Sequence, residues 1–314
     1  MIEIISPAWL SIIVDEGRYG YGDIGVPPSS PLDLTAYKAI GYLCGSSRSN
    51  HPVIEVMGND FTMKIHTDMV CAITGALVNI FCDDKPVQPW TPFLVKKGSV
   101  VRVREVIEGL RYYVGFSGTM EIETIMDSFS TNIECRFGGY KGRPLMRGDR
   151  IDIKDIEERT IVPFPVDLIP RMNQPHDMRL IPGFEIDHFI SDAIQRFVEK
   201  GEPLWYTISS KSNRTGIRLE GEPLIFRNGV EKSIVSEGIV LGTVQVAGDG
   251  MPIIMLSERT IGGYTRIGTI AKVDHDRLAH VKPSDRINFI PVTIDDAERL
   301  WHHKVQSLSF LYTH

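Results

Sequence analysis

The chain has 314 residues, 42% of them apolar and 24% charged, a composition that belongs to a globular protein with enough apolar mass for one large domain or two ordinary ones. A formal net charge of -6 and a pI near 5.9 argue against a surface built for nucleic acid or anionic lipid, which requires a clustered excess of Lys and Arg. The opening MIEIISPAWLSIIVDEG carries an acid where a secretory signal needs bases, and no apolar run reaches the length of a membrane span, so a cytoplasmic protein without membrane contact is expected.

From the N-terminus, the glycine-rich stretch DEGRYGYGDIG (15–25) runs into GVPPSSPLD (25–33), where Ser30 is placed to cap a helix, Pro31 suits its first position and Asp33 completes a variant capping box. Leu32, Ala36, Ala39, Ile40 and Leu43 then share one helical face, and Gly45 is positioned to stop the helix. VCAITGALVNIFCDDKPV (70–87) predicts two short strands, or one bent at Gly75, ending in the turn Asp83, Asp84, Lys85. VVRVREV (100–106) and LRYYVGF (110–116) alternate with period two, and Glu108 with Gly109 is read as a turn between them. Lys64 in FTMKIHTD is read as an ordinary strand lysine.

After a second glycine cluster, FGGYKGRPLMRGD (137–149), the proline-rich IVPFPVDLIPRMNQPHD (161–177) reads as a linker. FEIDHFISDAIQRFVEKG (184–201) carries Phe189, Ile190, Ala193, Ile194, Phe197 and Val198 as a helical apolar stripe. SNRTGIRLEGEP (212–223) sets Arg214 and Arg218 on either side of Gly216, a spacing that would present two guanidinium groups on one strand face. Glu237, Gln245 and Asp249 are polar groups inside the apolar SEGIVLGTVQVAGDGMPIIML, and a buried acid there would be a candidate base. SERTIGGYTRIG (257–268) is a third glycine cluster, and Thr293 with Asp296 caps a last helix carrying Ala297 and Leu300, with His302 and His303 on its exposed end.

Arginine stands beside glycine in all three clusters, as Arg18, Arg143 and Arg266. Bare backbone N–H groups next to a guanidinium suit an anion such as a carboxylate or phosphate. There is no GxxxxGK[ST] phosphate loop, no GxGxxG opening a helix and no GxSxG elbow. Cys44, Cys71, Cys82 and Cys135 form no CxxC pair and no zinc-ligand spacing with His, which predicts buried free thiols and no metal site.

GRYGYGDIGVPPSSPLD, the Glu at 55, TGA at 74, SFST ahead of FGGYKGRPL, then IPGFEID, NRTGIRLEG, SEGIVLGTVQVAGDGMPI and TIGGYTRIG resemble, in order and over residues 5–297, the KipA/PxpC family. That family is also called allophanate hydrolase subunit 2 or the biotin-dependent carboxyltransferase-like family. The resemblance implies a mainly β chain of two tandem cyclophilin-like β-barrel domains, 1–165 and 166–314, each with one principal helix. It implies a KipI/PxpB-type partner, with a PxpA-type lactam-opening subunit as a further candidate, and a small cyclic amide or urea-like substrate. The leading function is a subunit of an ATP-dependent 5-oxoprolinase-type complex that opens 5-oxoproline to glutamate. The alternatives are a biotin-dependent carboxyltransferase component and a non-catalytic KipA-type regulator that sequesters a kinase inhibitor. No cofactor is expected in this chain; Mg-ATP belongs to the complex, and biotin enters only under the second reading.

By motif position the resemblance carries over Asp15, Arg18, Pro28, Asp33, Gly138, Gly139 and Arg143 from the first barrel. From the second it carries Arg214, Arg218, Glu237, Gln245, Asp249, Thr260, Gly262, Gly263 and Tyr264. Glu237, Asp249, Gln245 and Arg143 are the candidates for catalysis and the others for substrate binding. The chain departs from the family pattern at Val14, Ser30, Ser46, Phe129 and Ser257, and Glu258 and Arg259 stand beside the last of these.

Overall fold

A computed structural model describes residues 1–45, 50–158, 160–172 and 175–312; Ser46 lies outside them. The chain folds into two compact units. One comprises Met1–Arg18, Ser29–Arg171 and Leu308–His314, the other Tyr19–Pro28 and Met172–Ser307. The expected boundary after residue 165 falls near the 171/172 division, but two short segments belong with the unit that the other half of the chain builds. Both units are mainly β.

The first unit is organised by two long strands, Val100–Phe116 and Met69–Cys82, paired antiparallel along most of their lengths. Val100–Phe116 takes Phe61–Ile65 beside its start and Val53–Met57 beside its end, so the sheet runs Arg150–Ile151, Ile2–Pro7, Phe61–Ile65, Val100–Phe116, Val53–Met57, Leu10–Val14 and curls into a half-barrel. A turn at Glu108 and Gly109 is not formed. Gly109 has φ +88, and the strand bends there while continuing, because the partner strand keeps pairing past the irregularity. Gly75 likewise bends Met69–Cys82 at φ +92, where a Cβ would press on the Arg111 carbonyl at 2.7 Å. Asp83 and Asp84, both at positive φ, make the two-residue turn to Lys85–Val87.

Helix α1 (Leu34–Cys44) buries Ala36, Ala39, Ile40 and Leu43 against this sheet together with Trp90 and Phe164. Its cap is Asp33, whose Oδ1 accepts the Ala36 N–H at 2.8 Å, and Ser30 lies outside the helix; Gly45 ends it in the left-handed conformation. An aspartate at this position satisfies an otherwise unpaired donor and meets the positive end of the helix dipole. Asp33→Ala is therefore expected to cost about 1 to 2 kcal/mol, read as a lower urea midpoint at unchanged slope. Phe164, inside the expected linker, is buried against Trp90 and Phe310, while its neighbours on either side are exposed. Cys44 and Cys71 are buried, but Cys82 is half-buried and Cys135 exposed; all four are free thiols.

In the second unit seven strands close on themselves: His176–Pro182, Arg286–Pro291, Leu204–Ile208, Gly216–Gly221, Pro252–Met255, Thr243–Val246 and Ile261–Ile270, which pairs back to His176–Pro182. Closure leaves those strands no open edge. Ser233–Gly238 is added outside, antiparallel to the start of Ile261–Ile270. Inward alternation fills the barrel with Met178, Leu180, Val244, Val246, Ile254, Ile267, Ile287 and Phe289.

The stripe over 184–201 is only partly helical. Phe184–His188 is a 3-10 turn, Phe189 is extended against Phe226, and α2 spans Asp192–Lys200 behind the cap Ser191. Serine competes for the backbone N–H of Ile194 and so starts the helix late. Val198 and Ile190 are half-exposed, leaving Ile194 and Phe197 as the buried contacts. A short helix α3 (His275–Leu278) precedes α4 (Ile294–Ser307), which Thr293 caps through the Asp296 N–H, with His302 and His303 exposed.

His275 on α3 is bonded through Nε2 to the Ile270 carbonyl at 3.1 Å, and burial, ahead of the repulsion from Lys272 and Lys304, brings its pKa down to about 4. A folded-state pKa below the unfolded value near 6.5 means that its contribution is present above about pH 6.5 and is lost as pH falls toward 4. Relative to His275→Gln, the wild type should lose on the order of 2 kcal/mol over that window in pH-stepped urea unfolding.

Candidate functional site

The outer face of the second barrel collects the polar residues that the inner face excludes. Direct cross-strand partners share a face, and Arg218 stands opposite Ile253, Ile253 opposite Gln245, and Gln245 opposite Arg266. Gly262 and Tyr264 precede Arg266 on the same side of Ile261–Ile270 by period two, and Glu237 lies opposite Gly262. Arg218 is two strands from Gln245, about 10 Å at the usual strand spacing.

At the centre sits Gln245, 3% exposed, whose Nε2 has no hydrogen-bond partner among the described residues. A side chain on Gly262 would collide with that amide, so glycine is what lets it lie flat on the neighbouring strand. Beside it, the Arg266 guanidinium is shared by two acids. Glu185, on the 3-10 turn, takes Nη2 at 2.5 Å and Nε at 3.3 Å, while Glu237 takes Nη2 at 2.9 Å through one oxygen. These bonds, that to Glu185 foremost, hold the Arg266 pKa above its ordinary value. Glu185 is largely buried, whereas Glu237 is 56% exposed. The face thus offers a fixed cation, an uncommitted buried amide donor and a second arginine, a set that suits a carboxylate or an amide carbonyl.

Other second-barrel candidates lie elsewhere. Arg214 precedes the strand and is buried in an ion pair with Glu258, so the two arginines do not share a strand face and Glu258 is already committed. Asp249 is exposed and accepts the Met251 N–H at 2.9 Å within a tight turn; neither it nor Glu237 is the buried acid that the apolar context suggests. Thr260 accepts the Ile239 N–H through its carbonyl, Gly263 approaches Ser236, and Ser257 is buried.

The first-unit candidates form a different object. Asp15 is fully buried; its Oδ1 accepts from Ser128 Oγ and Ser130 Oγ at 2.6 Å each and Gly17 N at 3.0 Å, and its Oδ2 from Phe129 N at 2.6 Å and Asn50 Nδ2 at 2.9 Å. Arg18, also buried, donates to the carbonyls of Ile125 and Ser130 and lies over the Phe137 ring. Gly138 and Gly139 have φ +68 and +56, and a Cβ on either would strike Ser130, Arg18 or Thr131. These four residues lock the 128–131 and 137–142 loops together as a closed polar knot. Phe129 enters that knot through its backbone N–H, so the family departure there leaves the Asp15 contact intact.

Arg143 stands apart, bidentate to Asp149 at 2.7 and 2.8 Å, and Asp33 caps α1. Pro28 follows the 3-10 turn Gly22–Ile24 in the segment that belongs to the second unit. Sequence reasoning missed Glu185, which it read as a helix residue; it named Arg266 as an anion-binding arginine beside the third glycine cluster but did not carry it over with the family motifs, although the period-two run Gly262, Tyr264, Arg266 signals its face. Nothing in the sequence announced Ser128, Ser130 and Asn50 as partners of Asp15.

Comparison with known proteins shows what the chain as a whole is similar to. The family model described as "Carboxyltransferase domain, subdomain A and B" matches residues 24–291. The C-type subunit of the 5-oxoprolinase of Escherichia coli (strain K12) is 29% identical over 301 residues, covering 95% of this chain and 93% of that protein. The urea amidolyase of Saccharomyces cerevisiae is also 29% identical, but the match covers 95% of this chain and only 17% of that protein. The crystal structure of the K. lactis urea amidolyase superposes with a TM-score of 0.89 at 25% identity, over 99% of this chain and 20% of that one.

Proposed function

The chain belongs to the carboxyltransferase subdomain A and B family, and on that premise we propose that it serves as the C-type subunit of an ATP-dependent 5-oxoprolinase-type complex, opening 5-oxoproline to glutamate with a KipI/PxpB-type partner. The observation that carries this reading is that the likeness to the C-type 5-oxoprolinase subunit of Escherichia coli runs over nearly the whole of both chains. The barrel face supports it chemically. Gln245 Nε2 donates to the lactam carbonyl oxygen and to the negative charge that develops there as the amide is attacked, and Arg218 and Arg266 supply positive charge on either side.

Nucleotide binding is not assigned to this chain. Its sequence has no GxxxxGK[ST] phosphate loop. Mg-ATP is proposed to sit with the other subunits, a PxpA-type lactam-opening subunit among them.

Carboxyl transfer from biotin to a urea-like amide is the second reading, favoured by the superposition on the K. lactis urea amidolyase. Lys64 does not supply the biotin, since it is a mid-strand residue paired with Glu3 and Val100. One assay separates the readings: the protein co-purified with its partner is tested for ATP hydrolysis dependent on 5-oxoproline and on urea, with and without avidin. Avidin-insensitive turnover of 5-oxoproline is expected. Urea-dependent, avidin-blocked turnover would support the second reading, and complex formation with no turnover of either substrate would support a KipA-type regulator.

A further inference from the structure

We propose that Arg266 is the carboxylate-recognition residue of this site and that Glu237 occupies it in the free protein as an internal substitute, which the substrate's carboxylate displaces. This inference rests on the reading above for its substrate class, a small cyclic amide bearing a carboxylate.

The two acids on Arg266 are held differently. Glu185 is largely buried and engages two guanidinium nitrogens, the arrangement that fixes the fork in place. Glu237 reaches the same guanidinium with one oxygen and is more than half exposed. It sits on Ser233–Gly238, a strand that lies outside the closed barrel, is exposed along most of its length, and has a register irregularity between Ser233 and Glu237. Exposed single-contact ion pairs contribute little, so an incoming carboxylate competes with Glu237 far more easily than with Glu185.

The position vacated is a built one. Gln245, only 3% exposed, holds an Nε2 that has no hydrogen-bond partner among the described residues against Gly262, the residue directly opposite Glu237. A burial of that kind is unfavourable without an acceptor. A ligand whose carboxylate replaces Glu237 on Arg266 brings further acceptors to this amide. In 5-oxoproline the lactam carbonyl carbon and the carbon that bears the carboxylate are both bonded to the ring nitrogen, so one small molecule presents both groups. Arg266 keeps two carboxylate partners throughout the exchange, and Glu237, more than half exposed, carries its charge into solvent.

The test is equilibrium binding to the full chain, wild type against Glu237→Gln and Arg266→Gln, with three probes: 5-oxoproline, succinate as a carboxylate without a lactam, and 2-pyrrolidinone as a lactam without a carboxylate. Glu237 is exposed, so its replacement leaves the fold intact. Glu237→Gln should bind 5-oxoproline and succinate roughly threefold to fivefold tighter, with 2-pyrrolidinone unchanged. Arg266→Gln should lose the preference for the two carboxylates. No gain for either carboxylate in Glu237→Gln, or an equal gain for 2-pyrrolidinone, overturns the displacement. Turnover of 5-oxoproline by the complex without that gain sinks the displacement and spares the function. A gain for succinate with no lactam turnover does the reverse.

Discussion

Replacing Gln245 by leucine is expected to lower 5-oxoproline-dependent turnover of the assembled complex about a hundredfold while leaving the fold as stable as before. The two halves of that result come from the same atom. Nε2 is buried with no partner among the described residues, so in the free protein it contributes no hydrogen bond and its removal relieves a desolvated donor. Under the proposed function the same donor would meet the lactam oxygen as it gains charge, and loss of one such donor from a water-poor site typically costs a factor of roughly 10² to 10³. Most buried polar side chains behave in the opposite way, with replacement harming stability first. A Gln245→Leu protein that unfolds at lower urea and keeps its turnover would identify Gln245 as a structural residue.

Asp15→Ala is expected to destabilise the first unit by about 3 to 5 kcal/mol, an unusually large loss for one substitution. Five donors converge on this carboxylate: two serine hydroxyls, two backbone N–H groups and the Asn50 amide. Deleting it leaves all five facing a space that nothing refills, and each orphaned donor costs on the order of 1 to 3 kcal/mol before the loops rearrange. Arg18 shares the 125–131 loop through the Ile125 and Ser130 carbonyls, so the loss propagates to its seat against Gly138. Chemical unfolding reads the effect as a lower midpoint. Partner binding and substrate affinity of whatever protein remains folded should be near normal, because the knot is closed. A loss below about 1 kcal/mol joined to a large drop in substrate affinity would reassign Asp15 to ligand binding.

These two expectations divide motif residues that look alike in sequence. Asp15, Arg18, Gly138 and Gly139 read as an anion site because glycine and arginine together are what such sites are made of, yet here Nε and Nη2 of the guanidinium are taken by main-chain carbonyls and the glycines are required by close packing. Arg214 is similarly taken up by Glu258, and Arg143 by Asp149. Spacing along the chain does not distinguish an arginine that faces a ligand from one that ties two loops together, since both need a glycine-permitted approach. The distinction lies in which carbonyl or carboxylate arrives from a distant segment.

What the sequence determined by itself is local or periodic. Strand alternation, a helix after the proline-rich stretch that Gly45 ends, the Asp83–Asp84 turn, the late helix behind Thr293 and the family motifs all follow from neighbours a few residues apart. Its errors were of the same range: a cap at Ser30 where Asp33 caps the helix, a turn at Gly109 that became a bend, and a helix over 184–201 that starts only at Asp192. Only the tertiary structure decided that Arg218, Gln245 and Arg266 stand in one row, that Glu185 and Glu237 share one guanidinium, and that Asp15 is sealed by residues more than a hundred positions away. The reason is that strand register and barrel closure are set by how whole inner faces bury their apolar side chains, and the outer face inherits its neighbours from that packing.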